Sequence, residues 1–220
     1  MRIAALAAVA LVSFAAAAAD PAPLTPVTPG VPGHWSVATG ETVSPDRDAI
    51  AFEMGWPGIS FGYLRGLSDR SDVGFRVSLL YSEENTSTSV FGAGADLPLR
   101  LVVSRHEKVS LGLHIDPGVR VYTRYGYSNF LTRFPVGGTL GIQATPELRL
   151  AATADLTMAI NWTHTAYFEI GPQFGFAAEY SVDRNLLVGL KASFGPQFYT
   201  YASSPTDFAF TTQVVVGYRM

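Results

Sequence analysis

The sequence predicts an all-β protein: a closed, up-and-down antiparallel transmembrane β-barrel of about ten strands. Apolar and polar side chains alternate over long stretches of the chain, which is the pattern of strands with two chemically different faces. No apolar stretch after residue 19 is long enough for a transmembrane helix. Only 15% of the residues are charged, against about 25% in an ordinary soluble domain, so water does not solvate the whole surface.

The N-terminus carries an export signal. Arg2 precedes an apolar run, and residues 15–19 are all alanine, which is typical of a signal peptide cleaved near Ala19. We expect residues 1–19 to be this signal peptide, residues 20–48 a proline-rich periplasmic leader, and residues 49–220 the barrel domain. Five prolines between residues 20 and 33 favour an extended chain. The sequence leaves three placements open for residues 34–42: paired with the barrel, inside its lumen, or loose.

Ten segments show the alternation of a two-sided strand. In residues 109–124, for example, Val109 and Leu111 lie on an uncharged face, while His114 and Arg120 lie on the opposite face. From residue 73 onward, no apolar face carries a charge. We predict strands at residues 49–56, 59–67, 73–82, 89–103, 109–124, 134–145, 148–160, 165–180, 185–200 and 208–219.

The connections between these strands alternate between two kinds. Tight polar turns occupy residues 68–72, 104–108, 146–147 and 181–184, and longer or more aromatic segments occupy residues 83–88, 125–133, 161–164 and 201–207. This alternation is typical of an up-and-down meander. Pro117, Pro172 and Pro196 fall inside predicted strands. Because proline removes a donor from the ladder, we expect bulges or kinks at these positions.

The apolar faces are predicted to point outward, toward lipid. Ten strands enclose only a modest lumen, which cannot hold so many bulky side chains, and only a closed barrel satisfies its backbone in hydrocarbon. Arg65 shares an apolar face, and its long stem can reach the headgroups. Aromatic residues near the strand ends are expected to form interfacial girdles; they are Trp56, Tyr63, Tyr81, Phe134, Phe168, Phe176, Tyr180, Phe198, Phe208 and Tyr218.

The chain resembles the small bacterial outer-membrane β-barrel proteins. The resemblance depends on the signal peptide, on the polar turns at residues 66–72 and 181–184, and on the aromatic final strand. It covers residues 49–220 and implies a place in the outer membrane of a Gram-negative envelope. The implied partners are outer-membrane lipids, including lipopolysaccharide, and the barrel-assembly machinery. Such proteins usually end in an aromatic residue, whereas this chain ends in Met220 and has Tyr218 nearby.

Charged residues on the polar faces are predicted to line the lumen. Their signs nearly balance, which favours a network of ion pairs that plugs the barrel, and ten strands are far fewer than the roughly 16–18 of an open channel. We therefore expect a structural or interaction role, or a narrow porin-like passage for small solutes. The candidate network consists of Glu53, Arg76, Asp96, Arg100, His114, Asp116, Arg120, Arg124, Asp155, Glu169 and Lys191, with Arg149, Glu179 and Arg219 on the same faces.

The evidence for catalysis in the sequence is weak, and we expect a protein that is not an enzyme. His114 and Asp116 could orient an imidazole for general-base work, but no nucleophile is identifiable beside them. Outer-membrane lipid A deacylases carry a His-x-Ser pair, whereas this chain has His164-Thr165-Ala166. The four histidines show no metal-ligand spacing and there is no cysteine, so we expect no metal and no cofactor.

Net charge argues against one class of protein, and two other classes stay open. The net charge of -3 argues against a nucleic-acid partner. Two further interpretations stay open beside the structural role and the narrow passage. One is an outer-membrane enzyme that acts on lipid or surface polymer, and the other is a soluble periplasmic carrier of the lipocalin type, with its apolar faces turned inward.

Overall fold

A computed structural model of the chain describes residues 35–84, 89–124, 127–163, 166–200 and 206–220. None of these residues forms a helix long and apolar enough to cross a membrane. They form thirteen β-segments: β1 (Asp48–Trp56), β2 (Gly58–Gly66), β3 (Ser71–Ser82), β4 (Ser89–Asp96), β5 (Leu99–His106), β6 (Val109–Ile115), β7 (Gly118–Arg124), β8 (Tyr127–Arg133), β9 (Val136–Gln143), β10 (Leu148–Asn161), β11 (Tyr167–Ser181), β12 (Leu186–Tyr199) and β13 (Asp207–Arg219).

The thirteen segments build a closed barrel of ten strands. Three of the ten strands consist of two segments each, namely β4 with β5, β6 with β7, and β8 with β9. Each strand pairs antiparallel with the strands that precede and follow it in the chain, and β13 pairs with β1 from Ala49↔Arg219 to Trp56↔Thr212. The predicted all-β, closed, up-and-down antiparallel barrel is therefore confirmed.

Proline explains where the paired segments are interrupted. Pro98, Pro117 and Pro135 separate β4 from β5, β6 from β7, and β8 from β9. Backbone hydrogen bonds still cross this level, because the Pro117 carbonyl accepts from the Leu97 amide at 2.8 Å and the Pro135 carbonyl accepts from the Asp116 amide at 3.0 Å. The alternation of faces continues through all three interruptions.

Of the bulges or kinks predicted at Pro117, Pro172 and Pro196, bulges are not found, because the pairing register is the same on both sides of each proline. The kinks stay a prediction. Between β11 and β12 the pairing stops at Ile170↔Phe198 and resumes in register at Phe174↔Phe194, with Pro172 opposite Pro196 in the gap. Register shifts occur elsewhere: one lies between Leu80 and Ser82, and the other lies between Val102 and Ser104.

The largest difference from the predicted strand boundaries lies at β8. Residues 127–133 were expected in a loop, but they form β8, which pairs with β7 from Gly118↔Arg133 to Arg124↔Tyr127. Ser128 and Asn129 have weak intrinsic preference for strands. Pairing with a neighbouring strand overrides that preference and lengthens the hairpin beyond the predicted turn.

The two faces of the barrel have the predicted orientation. Phe174 and Leu190 point outward and are 53% and 59% exposed, whereas Glu53 and Asp96 point inward and are 4% and 1% exposed. A soluble lipocalin-type carrier would have the opposite distribution. Among the residues predicted for aromatic girdles, those exposed on the outside are Tyr63, Tyr81, Phe176, Tyr180, Phe198, Phe208 and Tyr218.

Arg65 lies on the outside at the end of β2, as its position in the sequence indicates. Its Nη1 is 3.2 Å from Asp48 Oδ1, and the Tyr63 hydroxyl donates to the same carboxylate oxygen at 2.7 Å. This group marks a polar rim at the end of the barrel that holds both the start of β1 and the end of β13. We call this the turn end and the opposite end the loop end.

The lumen as candidate functional site

The lumen has three levels along the barrel axis. Residues 35–44, which we call the floor, cross it at the turn end. Above the floor lies a central charge layer, defined by Glu53, Arg76, Asp96, Asp116, Arg120 and Lys191. A separate cavity lies at the loop end. Since the polar faces of all strands point inward, each level is built from side chains of strands that are far apart in sequence.

The floor begins with an apolar contact inside the barrel. Trp35 and Val43 are buried, and they pack with inward-facing side chains of β1, β2, β12 and β13. The Arg219 guanidinium lies 5.9 Å from the centre of the Trp35 ring, within the range of a cation–π contact. Of the three placements open for residues 34–42, the structure shows the lumen for residues 35–42.

Glu179 of β11 holds the first half of the floor. One carboxylate oxygen accepts from the Val37 and Ala38 amides at 2.9 and 2.8 Å, and the other accepts from the Thr39 hydroxyl at 2.7 Å. Glu179 is 3% exposed. A buried carboxylate that receives three donors is well solvated by the protein, so Glu179 anchors the floor to the barrel wall.

An ion pair between Asp72 and Arg100 holds both arms of the floor. The Arg100 Nη2 is 2.6 Å from Asp72 Oδ2, and Arg100 Nη1 donates to the Ser36 and Val37 carbonyls at 3.0 and 2.8 Å. Asp72 in turn accepts from the Val43 amide at 2.9 Å. The pair therefore satisfies backbone donors and acceptors that the floor would otherwise bury without partners.

Glu41, in the second half of the floor, bridges two arginines. It lies 2.7 Å from Arg105 Nη2 of β5 and 2.9 Å from Arg149 Nη2 of β10. Arg149 also donates to the Ser110 hydroxyl at 2.7 Å. Because the three anchoring groups stand on β3, β5, β10 and β11, the floor is tied to widely spaced parts of the wall.

Glycines on the wall make room for the floor. A Cβ atom on Gly141 would lie 2.3 Å from the Thr39 carbonyl oxygen, and one on Gly66 would lie 2.1 Å from the Ser44 carbonyl oxygen. Both distances are far shorter than van der Waals contact. The small inward-facing residues at the turn end are thus required by the close approach of the floor.

The central charge layer is organised around Asp96 and Glu53. Asp96 accepts from Arg120 Nη1 and Nη2 at 2.8 and 2.9 Å and from Arg76 Nε at 3.2 Å. Glu53 accepts from Lys191 Nζ at 2.7 Å and lies 4.0 Å from Arg76 Nη1. Arg76 therefore links the two carboxylates into one network.

The His114–Asp116 pair considered in the sequence does not form. The His114 Nε2 lies 2.9 Å from Asp155 Oδ1 on β10, while Asp116 lies 3.5 Å from Arg76 Nη2. Each of the two side chains thus meets a partner on another strand instead. Among the described residues no group of three or more His, Cys, Asp or Glu side chains could hold a metal ion. His164 lies outside the described residues.

Two cavities remain between these groups. The inner cavity, of about 280 Å³, is lined by residues of the floor, of the central charge layer and of the wall toward the loop end, and the loop-end cavity has a volume of about 230 Å³. The two cavities are adjacent, because four residues line both of them: Glu84, Arg120, Arg133 and Thr157.

Glu84 and Arg133 form an ion pair in the wall that the two cavities share. Arg133 Nη1 donates to Glu84 Oε1 at 2.8 Å. Burial disfavours the charged form of Glu84, but Arg133 and, next in strength, Arg120 outweigh it and hold the pKa of this carboxyl below its usual range. Glu84 is therefore ionised at neutral pH and, with Arg133, narrows the lumen.

The structure distributes the predicted charges over all three levels. Arg100, Arg149, Glu179 and Arg219 contact the floor, and Glu53, Arg76, Asp96, Asp116, Arg120 and Lys191 form the central layer. His114 and Asp155 pair beside the inner cavity, Glu169 lines the loop-end cavity, and the side chain of Arg124 lies outside the described residues.

Five charged residues that form ion pairs in the lumen were not predicted from the sequence. They were assigned to the leader, to turns or to loops, where charge is ordinarily solvated. A signal for part of this arrangement exists in the sequence, because several inward-facing glycines cluster at the turn end of the strands, where something must approach closely. The missed residues are Glu41, Asp72, Glu84, Arg105 and Arg133.

Outward apolar side chains and inward charges together define a transmembrane β-barrel. No protein-family profile and no curated protein matches the chain. The outer membrane protease OmpT from Escherichia coli is similar in structure, with 11% identity and a TM-score of 0.48 over 83% of this chain and 100% of that chain. The CymD monoaromatic hydrocarbon channel is similar with 8% identity and a TM-score of 0.31, over 81% of this chain and 89% of that chain.

Proposed function

We propose that this chain is an outer-membrane β-barrel protein whose lumen is closed at rest, and that its role is structural or interactive. The observation that carries the proposal is the floor, which is fixed by Glu179, by the Asp72–Arg100 pair and by Glu41. Residues 35–44 thereby occupy the space through which a solute would leave the lumen.

The central charge layer supports the same proposal. Each carboxylate of this layer lies within 4.0 Å of a cationic group of the wall, so little unpaired charge is left to attract a permeating ion. A conducting filter requires sites that an ion can enter and leave. A network of mutually satisfied ion pairs instead favours a rigid, sealed interior.

The apolar exterior and the predicted export signal support this location. Short turns and both ends of the barrel domain share the turn end, and in outer-membrane barrels this end faces the periplasm. The loop end then faces the outside of the cell. Outer-membrane lipids, lipopolysaccharide and the barrel-assembly machinery are the partners expected for such a protein.

Conductance in planar bilayers tests the closed lumen. We expect the full-length protein to show no steady conductance, whereas a variant lacking residues 35–44 and the variant Glu179→Gln should show open events. Asp48→Asn, which changes a carboxylate on the outside of the barrel, is the matched control and should stay silent. A heat-shift on gel electrophoresis shows that each variant has folded. Equal conductance in the wild type and the variants would contradict the proposal.

A narrow passage for small solutes is the second candidate function, and the two adjacent cavities favour it. Their linings together reach from the loop end to the floor and share Arg133 and Thr157. Displacement of the floor would then complete a path. Liposome swelling with small neutral and charged solutes distinguishes this function, because uptake by the wild-type protein without any variant would show a path that opens spontaneously.

The proposal treats the protein as a non-enzyme. This is supported by the pairing of the candidate catalytic groups. Asp155 is paired with His114 Nε2, and the central carboxylates are paired with Arg76, Arg120 or Lys191. Mass spectrometry of lipid A and surface polymer from cells with and without the gene tests this. Identical spectra are expected, and a gene-dependent product would identify the alternative, an enzyme acting on lipid or surface polymer.

A further inference from the structure

We propose that the loop-end cavity binds a small organic cation with an ammonium group. The cavity lies on the far side of the central charge layer from the floor and is distinct from the closure described above. Its walls combine carboxylates in excess of positive charge, the faces of tyrosines and a few apolar side chains. No step of the proposed closed-lumen function requires this site.

Charge is the first argument. Four carboxylates line the cavity, those of Glu83, Glu84, Glu169 and Asp207, together with the guanidinium groups of two arginines. Both guanidinium groups are already engaged, since one donates to Glu84 and the other makes two hydrogen bonds to Asp96 in the layer below. Carboxyl groups therefore outnumber guanidinium groups in the lining.

Two of the carboxyl groups in the lining, those of Glu169 and Asp207, accept hydrogen bonds from neutral donors. Glu169 is only 5% exposed, and it accepts a hydrogen bond from the Gln197 amide at 2.7 Å. Asp207 accepts from the Tyr199 hydroxyl at 2.9 Å. Both donors are neutral. A buried carboxylate is strongly stabilised by a cation in contact with it, and a positively charged ligand would supply one.

Aromatic side chains give the ligand its class. Tyr122, Tyr167 and Tyr199 line the cavity, and the rings of Tyr167 and Tyr199 meet edge to face, with centroids 6.1 Å apart and planes at 66°. Two rings at such an angle form a corner. Ammonium groups with alkyl substituents bind to tyrosine faces through cation–π attraction, and carboxylates in the same site add charge.

Size and the remaining wall agree with a compact organic cation. The volume of about 230 Å³ accommodates a choline-sized molecule, and Leu131 and Met158 add apolar surface to the lining. A bare metal ion fits less well, because the described residues contain no cluster of three ligating side chains. An anion is disfavoured because the two arginines at the cavity are paired with carboxylates.

The experiment is calorimetric titration of the full-length protein in nanodiscs made of lipids without choline headgroups. Choline chloride is the probe, and its neutral isostere, in which carbon replaces nitrogen, is the matched ligand. Glu169→Gln and Tyr199→Leu are the site variants. Glu147→Gln, at an exposed turn at the other end of the barrel, is the protein control. Empty nanodiscs correct for binding to lipid, and the heat-shift on gels confirms folding.

We expect saturable binding of choline and none of the isostere. Glu169→Gln should weaken binding about tenfold, equivalent to about 1.4 kcal/mol, and Tyr199→Leu about threefold or more, while Glu147→Gln leaves binding unchanged. Equal binding of choline and the isostere would overturn the proposal and point to a neutral ligand. Absence of saturable choline binding, or binding unaffected in both site variants, would overturn it as well. Bilayer conductance is a separate readout, so failure here leaves the closed-lumen proposal standing.

Discussion

Asp96 is a buried carboxylate of the central charge layer that binds two arginines. It is 1% exposed, and it receives three hydrogen bonds from Arg120 and Arg76. Charges in such a site are costly to bury, and they are tolerated only because they are paired and hydrogen-bonded. Loss of the carboxylate leaves two guanidinium groups with reduced compensation in a low-dielectric interior.

The substitution Asp96→Asn should lower the free energy of unfolding by about 3–5 kcal/mol, which is the usual cost of breaking a buried ion pair by removing one partner. Asp48→Asn removes an exposed carboxylate paired with Arg65 and should cost less than about 1 kcal/mol. Urea unfolding of both variants in lipid vesicles measures the difference. Equal losses would show that the central layer is not desolvated.

Asp183 provides a pH-dependent contact outside the membrane-spanning strands. In the turn between β11 and β12 its carboxylate accepts from the Asn185 and Leu186 amides at 2.6 and 2.8 Å. These amides lower the pKa of Asp183 from its ordinary value of 3.8. Since the pKa in the folded state is depressed, the contact is fully present above the unfolded pKa and is lost as the pH falls through the folded pKa.

The amide resonances of Asn185 and Leu186 should therefore shift together with the Asp183 carboxyl when the pH is lowered below about 4. Nuclear magnetic resonance of the protein in detergent micelles measures this. In Asp183→Asn the same amides should not titrate in that range. A titration that persists in the variant would assign the shift to another group.

At the scale of elements, the floor depends on the wall as much as on its own residues. Two wall carboxylates, Glu179 and Asp72, accept from it, and a wall arginine, Arg149, donates to its own Glu41. The wall glycines let it approach to backbone contact distance. Packed interiors tolerate neither voids nor extra atoms without strain. A single methyl group at the right place should consequently displace the floor.

In Gly141→Ala the added Cβ would lie 2.3 Å from the Thr39 carbonyl oxygen, which is a steric clash. In Gly62→Ala the nearest atom to the added Cβ would be 3.8 Å away, which is ordinary van der Waals contact. We expect Gly141→Ala to cost about 1–3 kcal/mol and to make residues 35–44 accessible to protease from the turn end. Gly62→Ala should change stability by less than about 0.5 kcal/mol. Protection of the floor in both variants would mean that the wall yields instead.

The prolines act at the same scale. Pro98, Pro117 and Pro135 interrupt three neighbouring strands. Pro172 of β11 lies opposite Pro196 of β12. None of them shifts the register, so the inward and outward faces stay the same from one end of each strand to the other. Interruption without register shift keeps the outward face of these strands free of charged residues, and a one-residue slip would turn the charged face outward.

At the scale of the whole molecule, the exterior determines how the protein behaves in solution. Large apolar side chains such as Phe174, Leu190 and Phe208 are about half exposed or more. We expect the folded protein to require detergent or lipid to stay monodisperse, and unheated samples to migrate differently from boiled samples on gels. A stable monodisperse protein in plain buffer would contradict the outward orientation.

The alternation of side chains predicted the strands and their faces well, because lipid and lumen impose opposite requirements on neighbouring residues. Val109 and Leu111 could be assigned outward and His114 inward from the sequence alone. β8 could not be predicted, because its pairing with β7 overrides the weak preference of Ser128 and Asn129 for strands. The floor could not be predicted either, since Val37 and its anchor Glu179 are 142 residues apart and nothing local connects them.

The floor precedes the first barrel strand in the chain, and this order constrains assembly. Residues 35–44 are synthesised before every group that holds them, and Glu179 is among the last of those groups to follow. The segment therefore lacks its full set of anchors until β11 has been made, although Asp72 and Arg100 precede β11 in the chain. The barrel must close around a segment already in place, or admit it through the turn end afterwards.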